Sequence, residues 1–350
     1  MIQIIIFAYI IFTSGSSGKP KGVKISRSNL DHYVRWIVNF MKIKPGEKCS
    51  QLAPLGFDLS VADTYLSICS GASLYPIESQ FDKLYPANFI KKNRINYLVC
   101  VPSTINIMLN SQTLKLNYLK SLRQIFFCGE TLLKYQIENL FRVKNDIIVT
   151  NSYGPTEATV SCTYVNITKK NLIKYSKKEV SIGKPIKGMK IYLMNKNKIS
   201  FKKGEIFIKG PQVGTGYLNK NQNLNKFIKN DIFKTGGLWE NILIKIYIFI
   251  GKKGIIKIKI KMGFRIELNE IEEILKKKLN FNSCICIFFS NKIISFIESS
   301  KKYNDIKIKN ELKKFLPSYM IPSRIHYVDY FPLNINGKID KKKLIKKFNE

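Results

Sequence analysis

Thr13-Ser14-Gly15-Ser16-Ser17-Gly18-Lys19-Pro20-Lys21-Gly22 is the stretch from which the rest of the chain can be read. A loop of small residues lets backbone N–H groups come close to phosphate oxygens. The hydroxyls of Thr13, Ser14, Ser16 and Ser17 can add hydrogen bonds, Gly15 and Gly18 keep the backbone open, and Lys19 and Lys21 carry positive charge. It is not a Walker A loop: the pattern G-x-x-x-x-G-K-[ST] fails, and Pro20 follows the lysine. A solvated Gly/Ser turn is the bland alternative. Against it stands the apolar run 2–12 just before, which reads as a buried strand feeding a loop.

Outward from that loop, the first two hundred residues alternate helix and strand patterns. Residues 28–42 read as a helix with Ser28 or Asn29 as its cap. Residues 97–101, 125–127 and 147–149 read as short strands, with a helix over 132–143 between the last two. This alternation predicts an α/β fold, a sheet with helices on its faces. Residues 191–210 read as short strands and turns, 257–273 as a strand followed by a helix, and 310–315 as helical. Two glycines flank two lysines at 251–254 and mark the expected boundary between a large domain, 1–250, and a small one, 251–350.

Two further motifs carry chemistry. Asn151-Ser152-Tyr153-Gly154-Pro155-Thr156-Glu157-Ala158-Thr159 follows a strand, where α/β sheets bind ligands. Tyr153 offers a ring for stacking on a base, Thr156 a hydroxyl for a phosphate oxygen, and Glu157 a hard oxygen ligand suited to Mg²⁺. Taken alone, Gly-Pro is a turn and Glu157 a helix-start residue. Near the C-terminus, Asn336-Gly337-Lys338-Ile339-Asp340 presents Lys338 on a tight turn, behind Leu316-Pro317-Ser318-Tyr319-Met320-Ile321-Pro322.

In this order, the three motifs resemble the adenylate-forming superfamily, which includes adenylation domains of nonribosomal peptide synthetases, acyl-CoA synthetases and D-alanine:carrier-protein ligases. The resemblance runs from about residue 8 to 344 and takes in Gly204-Glu205-Ile206 through Gly216-Tyr217-Leu218-Asn219, and Gly263-Phe264-Arg265-Ile266-Glu267-Leu268 with Glu270-Ile271-Glu272. It implies an N-terminally truncated large adenylation domain, built of mixed sheets, helices and a small β-rich part, followed by a small α+β lid domain. It also implies ATP and Mg²⁺ as cofactors, and catalytic roles for Lys338, Thr156 and Glu157. Lys338 would bridge the carboxylate and the α-phosphate, Glu157 would hold the metal, and the loop residues 13–19 and 21 with Tyr153 and Lys252 would contact the nucleotide.

Phe57-Asp58-Leu59-Ser60 looks like the segment whose aspartate holds a substrate ammonium in the amino-acid-activating branches, and a buried carboxylate pairing an ammonium is sound physics. The alternative is that Asp58 is a helix N-cap. Phe127-Cys128-Gly129-Glu130 resembles the D-alanine ligases, where a cysteine narrows the side-chain pocket, although Cys128 can equally be a small core residue. The pocket then comprises Asp58, Leu59, Ala62 and Cys128. D-alanine is the best single expectation for the substrate, and a separate phosphopantetheine-bearing carrier protein for the acceptor. A peptide-synthetase-type domain for another small amino acid is the alternative.

Three departures point to a third reading, an impaired enzyme or remnant. The chain starts almost at the phosphate loop, whereas the family begins well upstream, so sheet edges that should be covered are expected to be exposed. The family's Thr-Gly-Asp reads Thr235-Gly236-Gly237, without the aspartate that would bind the ribose hydroxyls. The hinge segment reads Gly251-Lys252-Lys253-Gly254, with Lys252 in place of an arginine and Gly254 in place of the hinge aspartate.

Composition bounds the rest. The 350 residues suffice for about two domains, and 45% hydrophobic with 24% charged residues is ordinary globular composition. Seven cysteines without a C-x-x-C pair, and only His32 and His326, argue against a disulfide scaffold or a Cys/His zinc site and for a reducing compartment. A net charge of +35 by itself suggests nucleic acid or an anionic membrane. Of the 59 basic residues, however, only seven are arginine, the residue that readers of nucleic acid favour. Lysine, isoleucine and asparagine abound throughout, as an A/T-rich genome dictates, and no specific nucleic-acid partner is expected. The run 2–12 is too short to span a membrane, which takes about 20 residues. With no basic leader or cleavage site it is no convincing signal peptide, so a cytoplasmic protein without a membrane partner is expected.

Overall fold

The computed structural model describes residues 6–13, 20–195, 198–200, 203–219, 221, 226–228, 231–243, 246–252, 258–261, 264–281, 283–289, 292–332 and 343–345. The chain divides into two compact units, residues 1–13 with 21–255, and residues 14–20 with 256–350.

The first unit is organised around a seven-stranded sheet. In chain order its strands are β3 (Lys48–Gln51), β4 (Ser73–Pro76), β5 (Tyr97–Cys100), β6 (Gln124–Phe127), β7 (Ile148–Tyr153), β8 (Thr163–Ile167) and β9 (Lys184–Pro185), in the spatial order β4-β3-β5-β6-β7-β8-β9. The pairings from β4 through β7 are parallel, and β8 and β9 add on antiparallel. The four-residue runs Tyr97–Cys100 and Gln124–Phe127 are buried throughout, as expected of parallel strands covered on both faces. One core cluster includes Leu98, Ile125, Phe127, Ile137, Leu140 and Val149. A second joins Val23, Ile25, Tyr33, Ile37, Val99, Phe126 and Cys128. The alternating inward positions of β5 and β6 thus feed opposite faces.

Ahead of this sheet, β1 (Phe7–Thr13) and β2 (Lys21–Ser26) form a two-stranded antiparallel sheet in which Thr13 faces Lys21. The phosphate-loop sequence therefore joins cross-strand partners; its residues Ser14, Gly15, Ser16, Ser17, Gly18 and Lys19 lie outside the described residues. The run read as a buried strand is corrected here. Of β1 only Ile11 is buried, while Phe7, Ile10 and Phe12 are exposed, because a two-stranded ribbon covers one face only.

Helix α1 (Arg27–Met41) starts one residue earlier than expected, and its cap is Ser26, not Ser28 or Asn29. The Ser26 hydroxyl accepts from the Asn29 N–H, and the Asn29 side chain accepts from the Ser26 N–H at 2.9 Å, a reciprocal box that satisfies two donors at once. Asn29 then donates to the carbonyls of Pro211 and Val213 at 2.6 and 3.0 Å, tying the helix start to a distant loop. Its sequence therefore reads as a cap, but its second task depends on the fold.

Described residues between 190 and 252 form an antiparallel sheet, which takes in the 191–210 stretch read as short strands and turns and continues well beyond it. Its strands are β10 (Lys190–Asn195), β11 (Lys198–Ile199), β12 (Lys203–Lys209), β13 (Phe227–Ile228), β14 (Ile232–Leu243) and β15 (Ile246–Lys252).

The second unit contains the hairpin β16 (Ile258–Lys261) with β17 (Phe264–Glu267), the sheet β18 (Cys284–Phe289), β19 (Lys292–Glu298) and β20 (Arg324–Val328), and helices Leu268–Lys277 and Asp305–Lys313. The helix Asp305–Lys313 begins five residues before the expected 310. Asn304 caps it by accepting from the Lys307 N–H, in a lysine-rich run whose apolar period is weak. Ile271, Leu275, Ile293, Ile297 and Leu312 pack this unit's own core. Among the described residues no helix is long and apolar enough to cross a membrane. All seven cysteines are free.

Candidate active site

The C-terminal ends of the parallel strands set the site, as in other open α/β sheets. The chain leaving β3 turns through Pro54–Phe57, where the Phe57 N–H donates to the Pro54 carbonyl at 2.9 Å, and delivers Asp58 to the start of helix α2 (Leu59–Ser70). The end of β6 delivers Cys128, and the end of β7 delivers Thr156 and Glu157 on a single 3₁₀ turn. Asp58 occupies the N-cap position but makes no side-chain cap hydrogen bond. Its carboxylate instead accepts from the Thr156 hydroxyl. Burial raises the Asp58 pKa to about 6; the Thr156 bond opposes this, and the nearby Glu157 charge adds to it.

Glu157 is fully buried, and the Tyr217 hydroxyl donates to its Oε1 at 2.7 Å. The Nζ of Lys21, itself buried, lies 5.3 Å from the centre of the Tyr217 ring. The residue that opens β2 is thereby linked to the carboxylate after β7. Tyr217 reaches this position because residues 214–218 line the outer edge of β2. Thr215 donates to the Lys24 carbonyl at 3.0 Å, Lys24 to that of Gly216 at 2.9 Å and Leu218 to that of Gly22 at 2.7 Å, while Gly214 donates to the Glu157 carbonyl at 2.8 Å. Replacing Tyr217 by Phe keeps the ring under Lys21 and removes the donor to Glu157. The expected cost is about 2 kcal/mol for a bond to a charged group. At roughly 2–4 °C per kcal/mol for a domain this size, calorimetry should register a midpoint about 5 °C lower.

The backbone after β7 is held tightly. A Cβ on Gly154 would lie 2.4 Å from the Ser161 Cα, so only glycine lets the turn 159–162 fold back on it. In that turn Thr159 and Val160 adopt left-handed φ values of 52° and 66°, unusual for β-branched residues and costing about 1–3 kcal/mol each. The Thr159 hydroxyl donates to the Gln212 carbonyl at 2.7 Å, and the Val160 carbonyl accepts from the Cys128 thiol at 3.7 Å. The strain aims backbone at the pocket wall, which is where such strain is generally found.

Cys128, Leu59 and Ala62 are buried in one apolar cluster with Tyr33 and Val160. Burial, and secondarily the Asp58 charge, push the Cys128 thiol up to about 12, so it is a neutral wall residue at physiological pH and no nucleophile. From β1, Tyr9 and Thr13 turn inward, and their hydroxyls are buried without a hydrogen-bond partner among the described residues. Burial and then the Asp58 charge raise the Tyr9 phenol well above its ordinary range, which puts Tyr9 beside Asp58.

The model of the AMP-binding enzyme family matches residues 7–218. The chain belongs to this family of adenylate-forming enzymes. It is 34% identical to a D-alanine--D-alanyl carrier protein ligase of Listeria monocytogenes serotype 4a, over 98% of this chain and 70% of that protein. A Staphylococcus epidermidis ligase of the same name is 31% identical, over 97% and 71%. Among solved structures, the Vibrio cholerae adenylation domain AlmE in complex with glycyl-adenosine-5'-phosphate superposes with a TM-score of 0.87 at 26% identity, covering all of this chain and 68% of that one. PA1221, a nonribosomal peptide synthetase protein with adenylation and carrier domains, shares the fold with a TM-score of 0.82 at 20% identity, over 97% and 60%.

Of the AMP-binding family residues read from the sequence, the fold gathers Thr13, Lys21, Asp58, Leu59, Cys128, Thr156 and Glu157 in the first unit. Tyr153 is half-buried and packs against the cluster of Ala158, Ile182, Ile186 and Val213. Lys252 ends β15, and its cross-strand partner in the register is Gly237. Lys338 and Gly254 lie outside the described residues. Tyr217 and Tyr9 were not read as site residues. The signal for Tyr217 was present in the Gly-Tyr-Leu-Asn run, but its proximity to Glu157 comes from an edge pairing nearly two hundred residues away from Lys24.

The donor set fits one Mg²⁺ bound mainly through substrate. Among the described residues no three His, Cys, Asp or Glu side chains cluster to hold a metal. A single buried carboxylate, Glu157, is what Mg²⁺ uses when nucleotide phosphates and waters supply its other ligands.

Proposed function

We propose that this chain activates a small amino acid, D-alanine first, as its adenylate and passes the aminoacyl group to the phosphopantetheine thiol of a separate carrier protein. The observation that carries the reading is Asp58. It is a half-buried carboxylate that forgoes its capping bond, sits beside the neutral thiol of Cys128, and is joined through Thr156 to the turn that holds Glu157. Such a carboxylate receives an ammonium, and a narrow wall next to it admits a small side chain. Relatives named as D-alanyl carrier protein ligases support the finer reading.

In the first half-reaction the amino-acid carboxylate oxygen bonds to the α-phosphorus of ATP, and the bond to pyrophosphate breaks. Asp58 holds the ammonium, and Cys128 and Leu59 bound the side chain. The loop residues Ser14, Gly15, Ser16, Ser17, Gly18 and Lys19, with Thr13 and Lys21, embrace phosphate oxygens. Tyr153 lies along the base, and Lys252 is assigned to the nucleotide. Glu157 would hold Mg²⁺, which when bound neutralises phosphate charge. Thr156 and Lys338 steady the charge that builds at the α-phosphate. In the second half-reaction the carrier thiol attacks the acyl carbon, and AMP leaves with the bonding pair.

The test is amino-acid-dependent ATP–pyrophosphate exchange on the purified chain with D-alanine, L-alanine, glycine and serine. Exchange with D-alanine foremost supports the reading in full. Exchange led by another small amino acid supports the peptide-synthetase-type alternative, and no exchange from a folded sample, at saturating ATP and with Gly237→Asp as well, overturns both.

The pairing of Gly237 with Lys252 favours a second reading, an enzyme weakened at the nucleotide, because two of the substitutions that depart from the AMP-binding family pattern fall on one cross-strand pair. On that reading Gly237→Asp restores charge-assisted bonds to the ribose. The KM for ATP should fall by about 10-fold or more, with the amino-acid KM unchanged.

A further inference from the structure

We infer that Tyr9 is a second binding residue for the substrate ammonium, its phenol oxygen facing the Asp58 carboxylate across the space that the ammonium fills. This rests on the assignment of Asp58 to the substrate amine and deepens it. β1 carries two rows of side chains, because successive residues of a strand point to opposite faces. Ala8, Ile10 and Phe12 form the exposed row, and Tyr9, Ile11 and Thr13 the inward one. The Tyr9 ring packs against the apolar cluster that holds Leu59 and Cys128, the residues assigned to the substrate side chain. Its hydroxyl is buried, with no hydrogen-bond partner among the described residues.

Buried hydroxyls are nearly always hydrogen-bonded, so an orphan one calls for a reason. After burial itself, the Asp58 charge is the strongest influence on the Tyr9 phenol, ahead of Tyr65. For Tyr33, the other buried phenol nearby, Cys128 takes that place, which puts Tyr33 at the side-chain wall and Tyr9 at the amine. Yet Tyr9 and Asp58 are not bonded to each other, and the carboxylate takes the Thr156 hydroxyl instead. Phenol and carboxylate are thus neighbours held apart, and a ligand with several N–H donors can bond both. An ammonium has three. The Tyr9 phenol stays neutral at physiological pH, because burial and then the Asp58 charge hold its proton on, and a neutral phenol oxygen can accept one N–H while Asp58 takes another. A 2-hydroxy acid offers a single hydroxyl proton, which Asp58 alone uses up, so two acceptors side by side select for an amine. Thr13 follows four residues later on the same face, and one strand therefore carries both the amine contact and the start of the phosphate loop.

The test is titration calorimetry on the full chain with two non-hydrolysable sulfamoyl adenosines, one acylated with alanine and one with lactate, each in both configurations. Tyr9→Phe keeps the ring and removes the oxygen. It should weaken the alanyl analogue by about 10- to 100-fold, as the loss of a hydrogen bond to a charged group does, and cost the lactyl analogue at least fivefold less. The thermal midpoint of the unliganded variant should not fall, because the hydroxyl has no protein partner to lose. Equal losses for the two analogues overturn the inference, since they would make Tyr9 a packing residue. So does a variant that binds the alanyl analogue as tightly as the wild type, an outcome that leaves the assignment of Asp58 standing. A midpoint several degrees lower in the unliganded variant overturns it as well, by showing the hydroxyl bonded within the protein. A wild type that binds neither analogue overturns the reading of Asp58 and this inference together.

Discussion

Glu157→Gln is expected to lower pyrophosphate exchange by about 100–1,000-fold while leaving the chain folded. The substitution is isosteric, and the amide oxygen can still accept from the Tyr217 hydroxyl, so the link from Lys21 through the Tyr217 ring survives. What disappears is a full negative charge buried at the end of β7, where metal and phosphates would meet. The variant carries its own control. Glu157 is one of the groups that raise the Asp58 pKa, so removing its charge should move the acid limb of the pH profile downward from about 6. A loss of exchange without that shift would mean that the two carboxylates do not sense each other, and the site would have to be redrawn.

Asp58→Asn is expected to raise the amino-acid KM by about 100-fold, with a far smaller effect on the KM for ATP. Removing one partner of a buried charge pair costs roughly 2–5 kcal/mol of binding. The pH dependence fixes the sign. Only the carboxylate attracts an ammonium, and with its pKa near 6 the group is about one-tenth ionised at pH 5. The wild-type amino-acid KM should therefore fall about tenfold from pH 5 to pH 7 and level off above, and the Asn variant should show no such limb. Stability runs the other way. Because the folded pKa lies above the ordinary 3.8, the native state holds the proton more tightly than the unfolded chain. The stability this contributes is complete below about pH 4 and is lost as pH rises through about 6. Asp58→Asn should therefore raise the thermal midpoint more at pH 7 than at pH 5. An amino-acid KM that ignores both pH and substitution would remove Asp58 from the substrate site.

Sequence and structure divide this protein along a physical line. Short buried strands such as Tyr97–Cys100, and Ile125–Phe127 within β6, are legible because burial on both faces favours an unbroken apolar run. Thr156 and Glu157 after β7 are legible because strand ends are where these sheets place ligands, whereas Cys128 after β6 is legible only through the resemblance of its motif. Caps were read less well. Ser26, Ser28 and Asn29 are all able to cap, and only the loop at 211–213, which takes the Asn29 amide, settles which one does. The first strand was misread because an apolar run looks alike whether one face of the strand is covered or both. Tyr217 has no role that a motif can reveal, because its value rests on a hydrogen bond to Glu157 sixty residues away in sequence.

By itself, then, the sequence determined the α/β class and the coarse order of elements, which follow from local periodicity, while the fold family and the residue types at the strand ends came from the resemblance of its motifs to a known family. The tertiary structure decided the charge states and the exposure. It made Asp58 a weak acid by burying it beside Glu157, kept Cys128 a thiol, bound Lys21 to Glu157 through the Tyr217 ring, and left the outer face of β1 open. Burial, neighbouring charge and edge pairing are sums over residues distant in the chain, and no local window of sequence contains them.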